Sequence, residues 1–395
     1  MKIDKQTFPF NGKEITWITL TNAKGAQVVL SSLGAGIVAI RLPEADGSLK
    51  NVVMGYPDPA DYLADGPCAG KTPGRYANRI ANGRFSIDGT TYTLPINNGP
   101  NHLHGGPDGF QNRIWDCIVS DNGNVQFILE SHDGDAGYPG NLRATVEYEW
   151  DDNNNLEITY RATTDAPTMV NLTNHTYFNL DGQGSGTGLT QHLKLNCSCW
   201  LPTDETQIPT GEIAPVAGTP MDFTEECEIG KRIHDDFHAL KIGKGYDHCW
   251  VIDGFDGTMR ETATLRGSES GRTLTVKTTQ PAVQVYTGNW LEGCPDGENG
   301  YVYHDYDAVA IECQGCPDAP NHPGFPSQRL NPGALPPPSK QQPQMRPRPR
   351  KNLHLSRLRQ PAAILQKNPR PRNRQKANKK KRCRKPPSTQ SMVLV

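Results

Sequence analysis

Short runs of β-branched and aromatic residues, each closed by a turn signal, recur along residues 1–333 and point to an antiparallel β fold. Examples are AQVVLSSLG (26–34), GRFSIDGTTYTL (83–94), NVQFILES (124–131), RATVEYEW (143–150), NLEITYRA (155–162), TLTVKT (273–278) and AVQVYTG (282–288). Many alternate apolar with polar residues, which gathers the apolar set on one face of a strand. Between them stand Asp88-Gly89, Asn122-Gly123 and the run Asn153 to Asn155, residues that tolerate positive φ and so close tight hairpins. With 39 glycines and 33 prolines, long uninterrupted helices are excluded over most of the chain. Helix signals are confined to about 59–63 and 233–240, and no short-period repeat suggests a propeller. The expected fold is all-β, a large antiparallel β-sandwich with few short helices.

The chain of 395 residues can bury a sizeable core. It has no run of eighteen apolar residues, and its opening, MKIDKQTFPFNGKEITW, lacks the apolar stretch of a secretory leader. A cytoplasmic protein without membrane spans is expected, with a monomer as the favoured state. Its net charge of −1 conceals a division: 18 of the 41 Lys and Arg residues, and none of the 42 Asp and Glu, lie in 334–395. The remaining 23 basic and 42 acidic residues give 1–333 a charge near −19, joined to a tail near +18. Segments such as NPRPRNRQKANKKKRCRK combine like charge with proline and cannot bury enough apolar surface to offset chain entropy. Residues 334–395 are therefore expected to be a disordered tail, and 1–333 the β-sandwich domain. Nucleic acid enters as a partner only through this tail, as a basic arm or a localisation-like run at 379–385; a reading-frame error late in the gene would yield the same composition.

Ten cysteines in a chain without export signals read as reduced thiols. Cys197 with Cys199, and Cys313 with Cys316, each lack a second ligand pair at suitable spacing, so no metal is expected. Chemistry has better candidates. His104 in NGPNHLHGG precedes two glycines, where backbone can approach a ligand. His102 could share its strand face or be an ordinary surface residue. His175 lies in NLTNHTYFNL among small polar residues that could line a pocket, a satisfied core histidine being the alternative. Glu312 ends the apolar run DAVAIE, where burial raises a carboxyl pKa toward the range of a general base working near neutrality; a buried ion pair with an arginine is the alternative. Arg75 and Arg79 in GRYANRI, and Asp247 in GYDHCW, add polar groups to otherwise apolar contexts.

Taken together and in order, GRYANRIANGRF, NHLHGG, GYPGNL, NLTNHTYFNL, LPTDETQIPTGE, YDHCW, TTQPAVQVYTGN and ECQGCPDAPNHPGFPS resemble the aldose 1-epimerases, the galactose mutarotase family, over nearly all of 1–333. The resemblance implies a mutarotase-like supersandwich binding a monosaccharide in an open cleft, with no cofactor. It implies Glu312 as catalytic base, His175 as catalytic acid and His104 as the second active-site histidine. Arg79 and Asn78 match its sugar-binding pair, Asp247 the acid that holds sugar hydroxyls, and Gln284 a sugar-contacting glutamine, in preference to Gln280. It also implies a final strand after PGFPSQRLNPG, which the proline-rich segment from Ala334 is expected to lack.

Interconverting α and β anomers of a free aldose requires opening the ring, rotating the aldehyde and reclosing. A base takes the C1 hydroxyl proton while an acid protonates the ring oxygen, so one carboxylate and one imidazole are expected on opposite sides of the sugar, with Tyr177 and Trp290 as candidate apolar platforms for it. Two rivals remain: a hexose-phosphate 1-epimerase of the same fold, which needs more basic residues in its cleft, and a non-catalytic carbohydrate-binding relative, which does not need both Glu312 and His175.

Overall fold

The computed structural model describes residues 1–333 and, for Ser339–Arg346, the backbone. The expectations for the rest of the basic segment, disorder and a nucleic-acid arm, lie outside the described residues. Turn chemistry sets the local structure. Arg84–Ile87 and Thr90–Thr93 form a hairpin closed by Asp88 and Gly89, whose φ angles of 50° and 82° are both positive, as a two-residue turn matching the right-handed strand twist requires. The same device at Asn11 (φ 47°) and Gly12 (φ 74°) joins Lys2–Phe10 to Lys13–Thr21, a hairpin not picked out from the sequence. Each strand segment named above contains a strand. Among the described residues the two α-helices are short: Asp61–Ala64 where expected, and His238–Gly243 toward the end of and beyond the window expected for the second.

Three sheets carry the architecture. A five-stranded sheet runs in sequence order from Lys2–Phe10 to Leu49–Asn51. A nine-stranded sheet begins Asp116–Val119, Val125–Ser131, Leu142–Trp150, Leu156–Thr164 and continues through Thr273–Thr278, Arg260–Arg266 and His192–Leu195 to Cys227–Glu228. A six-stranded sheet has the order Tyr177–Phe178, Val309–Gln314, Ala282–Tyr286, Asp247–Val251, Cys199–Leu201, Ala214–Pro215. One large apolar cluster unites all three, including Ile18 and Val28 of the first, Phe127, Tyr148 and Leu274 of the second, and Trp250, Val283 and Ile311 of the third. Strand alternation assigns the remaining face of the six-stranded sheet: Val283, Val285, Val309 and Ile311 enter the core, so Gln284 and Glu312 point the other way.

The expectation of a missing final strand is corrected. Backbone Ser339–Arg346 lies between Leu156–Thr164 and Thr273–Thr278, with Thr159 opposite Lys340 on one side and Val276 opposite Pro343 on the other. Composition argues against a strand here, and Pro343 lacks a donor. Pairing, however, is made by backbone, and two open strand edges accept any chain that can extend between them. A chain ending at Gly333 is expected to melt lower and yield less soluble protein than one ending at Arg346, because both edges lose their partner; equal melting curves would show that the inserted strand adds nothing.

Candidate active site

Strand register brings the predicted residues together. Glu312 on Val309–Gln314 stands directly opposite Gln284, and Gln284 opposite Cys249 on Asp247–Val251. Tyr177 pairs with Ala310, so two residues further along each chain His175 comes level with Glu312. His175 Nε2 lies 3.4 Å from Glu312 Oε1, and both side chains are almost wholly buried. Asp247, two residues from Cys249, shares its face and accepts a 2.7 Å hydrogen bond on Oδ1 from Gln284 Nε2.

The backbone of His175 is clamped from outside the sheet: its N–H donates to Lys71 O at 2.9 Å and its carbonyl accepts from Gly70 N–H at 3.0 Å. Lys71 is itself pinned by a buried ion pair, Nζ to Asp65 Oδ1 at 2.7 Å. On the opposite wall, Arg79–Ile80 pairs with His102–Leu103. Asn78 (φ 66°) and His104 (φ 53°), just beyond that ladder, take left-handed conformations and meet where Asn78 N–H donates to His104 Nδ1 at 3.1 Å. Gly105 is required beside them: a Cβ there would lie 1.8 Å from the carbonyl oxygen of Gly74. The His104 and His175 rings then meet edge to face, 5.4 Å between centroids.

Arg79 is held by Asn98 Oδ1, 3.0 Å from its Nε, and its Nη2 faces Gln207 Oε1 and, at 3.6 Å, Asp247 Oδ2. Asn78, Arg79, Gln207, Asp247 and Gln284 line one cleft.

Burial decides the charges of the central pair. It pushes the His175 imidazole down to about 4, and it raises the Glu312 carboxyl well above the usual carboxylate range, with Asp247 adding to the rise and Arg79 opposing it. His104 is lowered by burial and by His175 and Arg79. Burial thus works against charge on both groups, in the direction of a neutral imidazole and a protonated carboxyl. Glu312 Oε2 and Gln284 Oε1 are buried and without a hydrogen-bond partner among the described residues. Such atoms are costly to leave unsatisfied, and a polyhydroxylated ligand would pair with them.

Comparison with known proteins shows the family. The family model described as Aldose 1-epimerase matches residues 2–335. The chain is 40% identical over 316 residues to the aldose 1-epimerase of Escherichia coli K12, covering 80% of this chain and 90% of that one. It is 44% identical over 306 residues to the galactose mutarotase of Mus musculus, covering 78% and 87%. An aldose epimerase homologue from C. elegans superposes with a TM-score of 0.76 at 31% identity, covering 84% of this chain and 98% of the other. The chain belongs to the aldose 1-epimerase family. It is an isomerase of the supersandwich fold, an aldose 1-epimerase that interconverts the α and β anomers of free aldoses.

All seven residues named from the sequence lie around this epimerase's cleft and its central pair. Other expectations fare differently. Glu312 and His175 do not flank an open space from opposite sides; they are neighbours on one face, because the register sets them level on adjacent strand paths. Tyr177 is fully buried beneath His175, ring centroids 5.0 Å apart, and its hydroxyl donates to Pro67 O, so it supports the histidine and offers no platform. Trp290 is 66% exposed beneath the Lys244 ammonium. Gln280 lies apart from the cleft, its carbonyl accepting from Arg260. Arg75 is structural, donating to Ser131 and to the carbonyls of His132 and Pro139. His102 is a core histidine held between Pro95 O and the Tyr138 hydroxyl. Sequence reasoning missed Gln207 within LPTDETQIPTGE, although the Asp204 turn preceding it was a usable signal.

Glu312 has a folded pKa above its unfolded value, so its contribution is favourable below pH about 4.5 and is lost as pH rises. Glu312→Gln, which keeps the shape and removes the ionisation, is expected to be more stable than the parent at pH 7, the gap closing toward pH 4.5. Denaturant melts at the two pH values check this; a variant less stable at pH 7 would contradict it.

Proposed function

We propose that Glu312 and His175 are the proton-exchanging pair of this aldose 1-epimerase. The observation that carries the reading is their direct approach, Nε2 to Oε1 at 3.4 Å, in a buried site with an orphaned carboxylate oxygen. The two sugar atoms that must trade protons, the C1 hydroxyl oxygen and the ring oxygen, are bonded to the same carbon. Adjacent acid and base on one face can therefore reach both. Glu312 as carboxylate takes the C1 hydroxyl proton as protonated His175 delivers one to the ring oxygen; the C1–O bond to the ring breaks and the aldehyde forms.

What remains on the enzyme is a protonated Glu312 and a neutral His175, the uncharged arrangement that burial favours. The pair thus has a low-cost proton arrangement for the open-chain sugar, and rotation about C1–C2 followed by the reverse transfers yields the other anomer. General acid and base assistance contributes about 10²–10⁴ in rate per well-placed group. His104, edge to face with His175, adds a hydrogen bond near the ring oxygen. Arg79 and Asp247, with Asn78 and Gln284, hold the remaining hydroxyls by charge-assisted bonds and fix the pyranose against the pair. The substrates are free aldoses such as glucose and galactose, in the cytoplasm, with no cofactor in the chemistry. A phosphate-bearing substrate is disfavoured because the cleft pairs its guanidinium, Arg79, with the carboxylate of Asp247 and offers no second cation among its lining residues.

Polarimetry of α-to-β conversion tests the roles. Glu312→Gln and His175→Asn are expected to lower kcat by about 10²–10⁴, and Arg79→Ala or Asp247→Ala to raise KM more than they lower kcat. Rates equal to the parent's in either of the first two would remove the pair from the mechanism. Because the His175 pKa is lowered to about 4, the acid limb of kcat/KM is expected well below the ordinary imidazole range, activity persisting at pH 5 and falling as a second proton enters the pair. A limb centred near 6.5 would assign the titration to another group.

A further inference from the structure

The loop from Thr203 to Pro209 is built with unusual care for a surface connection. Its ends are joined by a bridge between Thr203 and Pro209, and the Asp204 carboxylate accepts from Thr206 N–H at 2.8 Å, from the Thr206 hydroxyl at 2.8 Å and from Ile208 N–H at 3.1 Å. Asp204 N–H donates to Ile208 O at 2.8 Å, and Gln207 N–H to Asp204 O at 3.0 Å. Asn101, on the segment that carries His104, donates to Thr206 O at 3.2 Å and ties the loop to the opposite wall. The residue so held is Gln207, in a left-handed conformation (φ 63°) that side chains rarely adopt.

Its amide makes two contacts, both with sugar-binding groups. Oε1 accepts from Arg79 Nη2, and Nε2 donates to Asp247 Oδ2 at 3.0 Å. Gln284 already occupies Asp247 Oδ1, and Asn98 occupies Arg79 Nε, so Gln207 takes the Oδ2 and Nη2 edges that face the cleft. A sugar hydroxyl, like this amide, accepts from a guanidinium and donates to a carboxylate. We propose that Gln207 is a placeholder that reproduces a bound hydroxyl in the empty enzyme and is displaced by the aldose, so that it sets the affinity of the site. The inference rests on the reading of Arg79 and Asp247 as hydroxyl ligands. Its logic is that of any competitor: the amide keeps two charged groups satisfied when no sugar is present, and each sugar must exchange hydrogen bonds with it before it can make its own.

Two variants test this. Gln207→Ala removes the amide; Gln207→Gly removes it and also relaxes the left-handed backbone, so folding is maintained. Both are expected to lower KM for glucose and galactose severalfold in polarimetric assays, with a smaller change in kcat. A KM that rises in both would mean that Gln207 binds the sugar or merely shapes the loop, and would overturn the placeholder. Calorimetric titration of glucose into Glu312→Gln, with and without Gln207→Ala, reads binding apart from turnover: tighter binding without the amide supports the proposal, and equal or weaker binding overturns it. If Arg79→Ala and Asp247→Ala raise KM but Gln207→Ala fails to lower it, the sugar-site reading stands and the placeholder falls.

Discussion

Everything at the cleft depends on the cost of charge in a dry place. Glu312 and His175 sit on a sheet whose other face is the main core, and each is held away from water by its neighbours on adjoining strands. Neither can carry its usual charge alone there. Side by side they share one proton: burial favours the uncharged arrangement, and direct contact lowers the cost of the charged one by pairing its opposite charges. A carboxylate in open solvent would gain hydration instead and lose its basicity. Burial is thus the source of reactivity, and the same burial makes the pair a burden on the fold.

That burden explains the rigidity of the surroundings. His175 is fixed through its backbone by Gly70 and Lys71, and Lys71 by Asp65, so the ring position does not depend on the weak contact with Glu312. His104 is fixed by a left-handed turn that needs Gly105 against the Gly74 carbonyl. Arg79 is gripped at Nε by Asn98 before any sugar arrives. Orientation is prepared in the empty protein, which reduces what substrate binding must supply. Around this frame the proton pair has room only for the small adjustments that chemistry asks of it.

Much of this was legible in the sequence, and the omissions have definite causes. Asp88-Gly89 announced a hairpin because only certain residues accept two positive φ angles, and the structure has that turn. Asn11-Gly12 carries the same signal, and the structure closes a hairpin there too. Glu312 could be placed at a buried strand position from DAVAIE, yet nothing local says that Gln284 lies opposite it and His175 level with it; register between distant strands is set by the packed sheet. For the same reason the sequence suggested flanking groups where the structure has neighbours. Arg75 and Arg79 look alike four residues apart in GRYANRI; one turns toward carbonyls and the other toward the cleft, a distinction made by the course of the backbone between them. His102 and His104 divide in the same manner.

The closing strand extends this dependence to the far side of the molecule. Ser339–Arg346 pairs with Leu156–Thr164 and Thr273–Thr278 in the nine-stranded sheet, away from every residue assigned to catalysis. Those neighbours nevertheless send Ile158, Tyr160, Leu274 and Val276 into the same apolar cluster that receives Val283, Val285 and Ile311 from behind Gln284 and Glu312. Close-packed interiors transmit small displacements, and the 3.4 Å separation of His175 and Glu312 leaves little tolerance. A strand in that slot completes the sheet that packs against this core. Since backbone supplies the pairing, the proline-containing sequence found there can fill the slot.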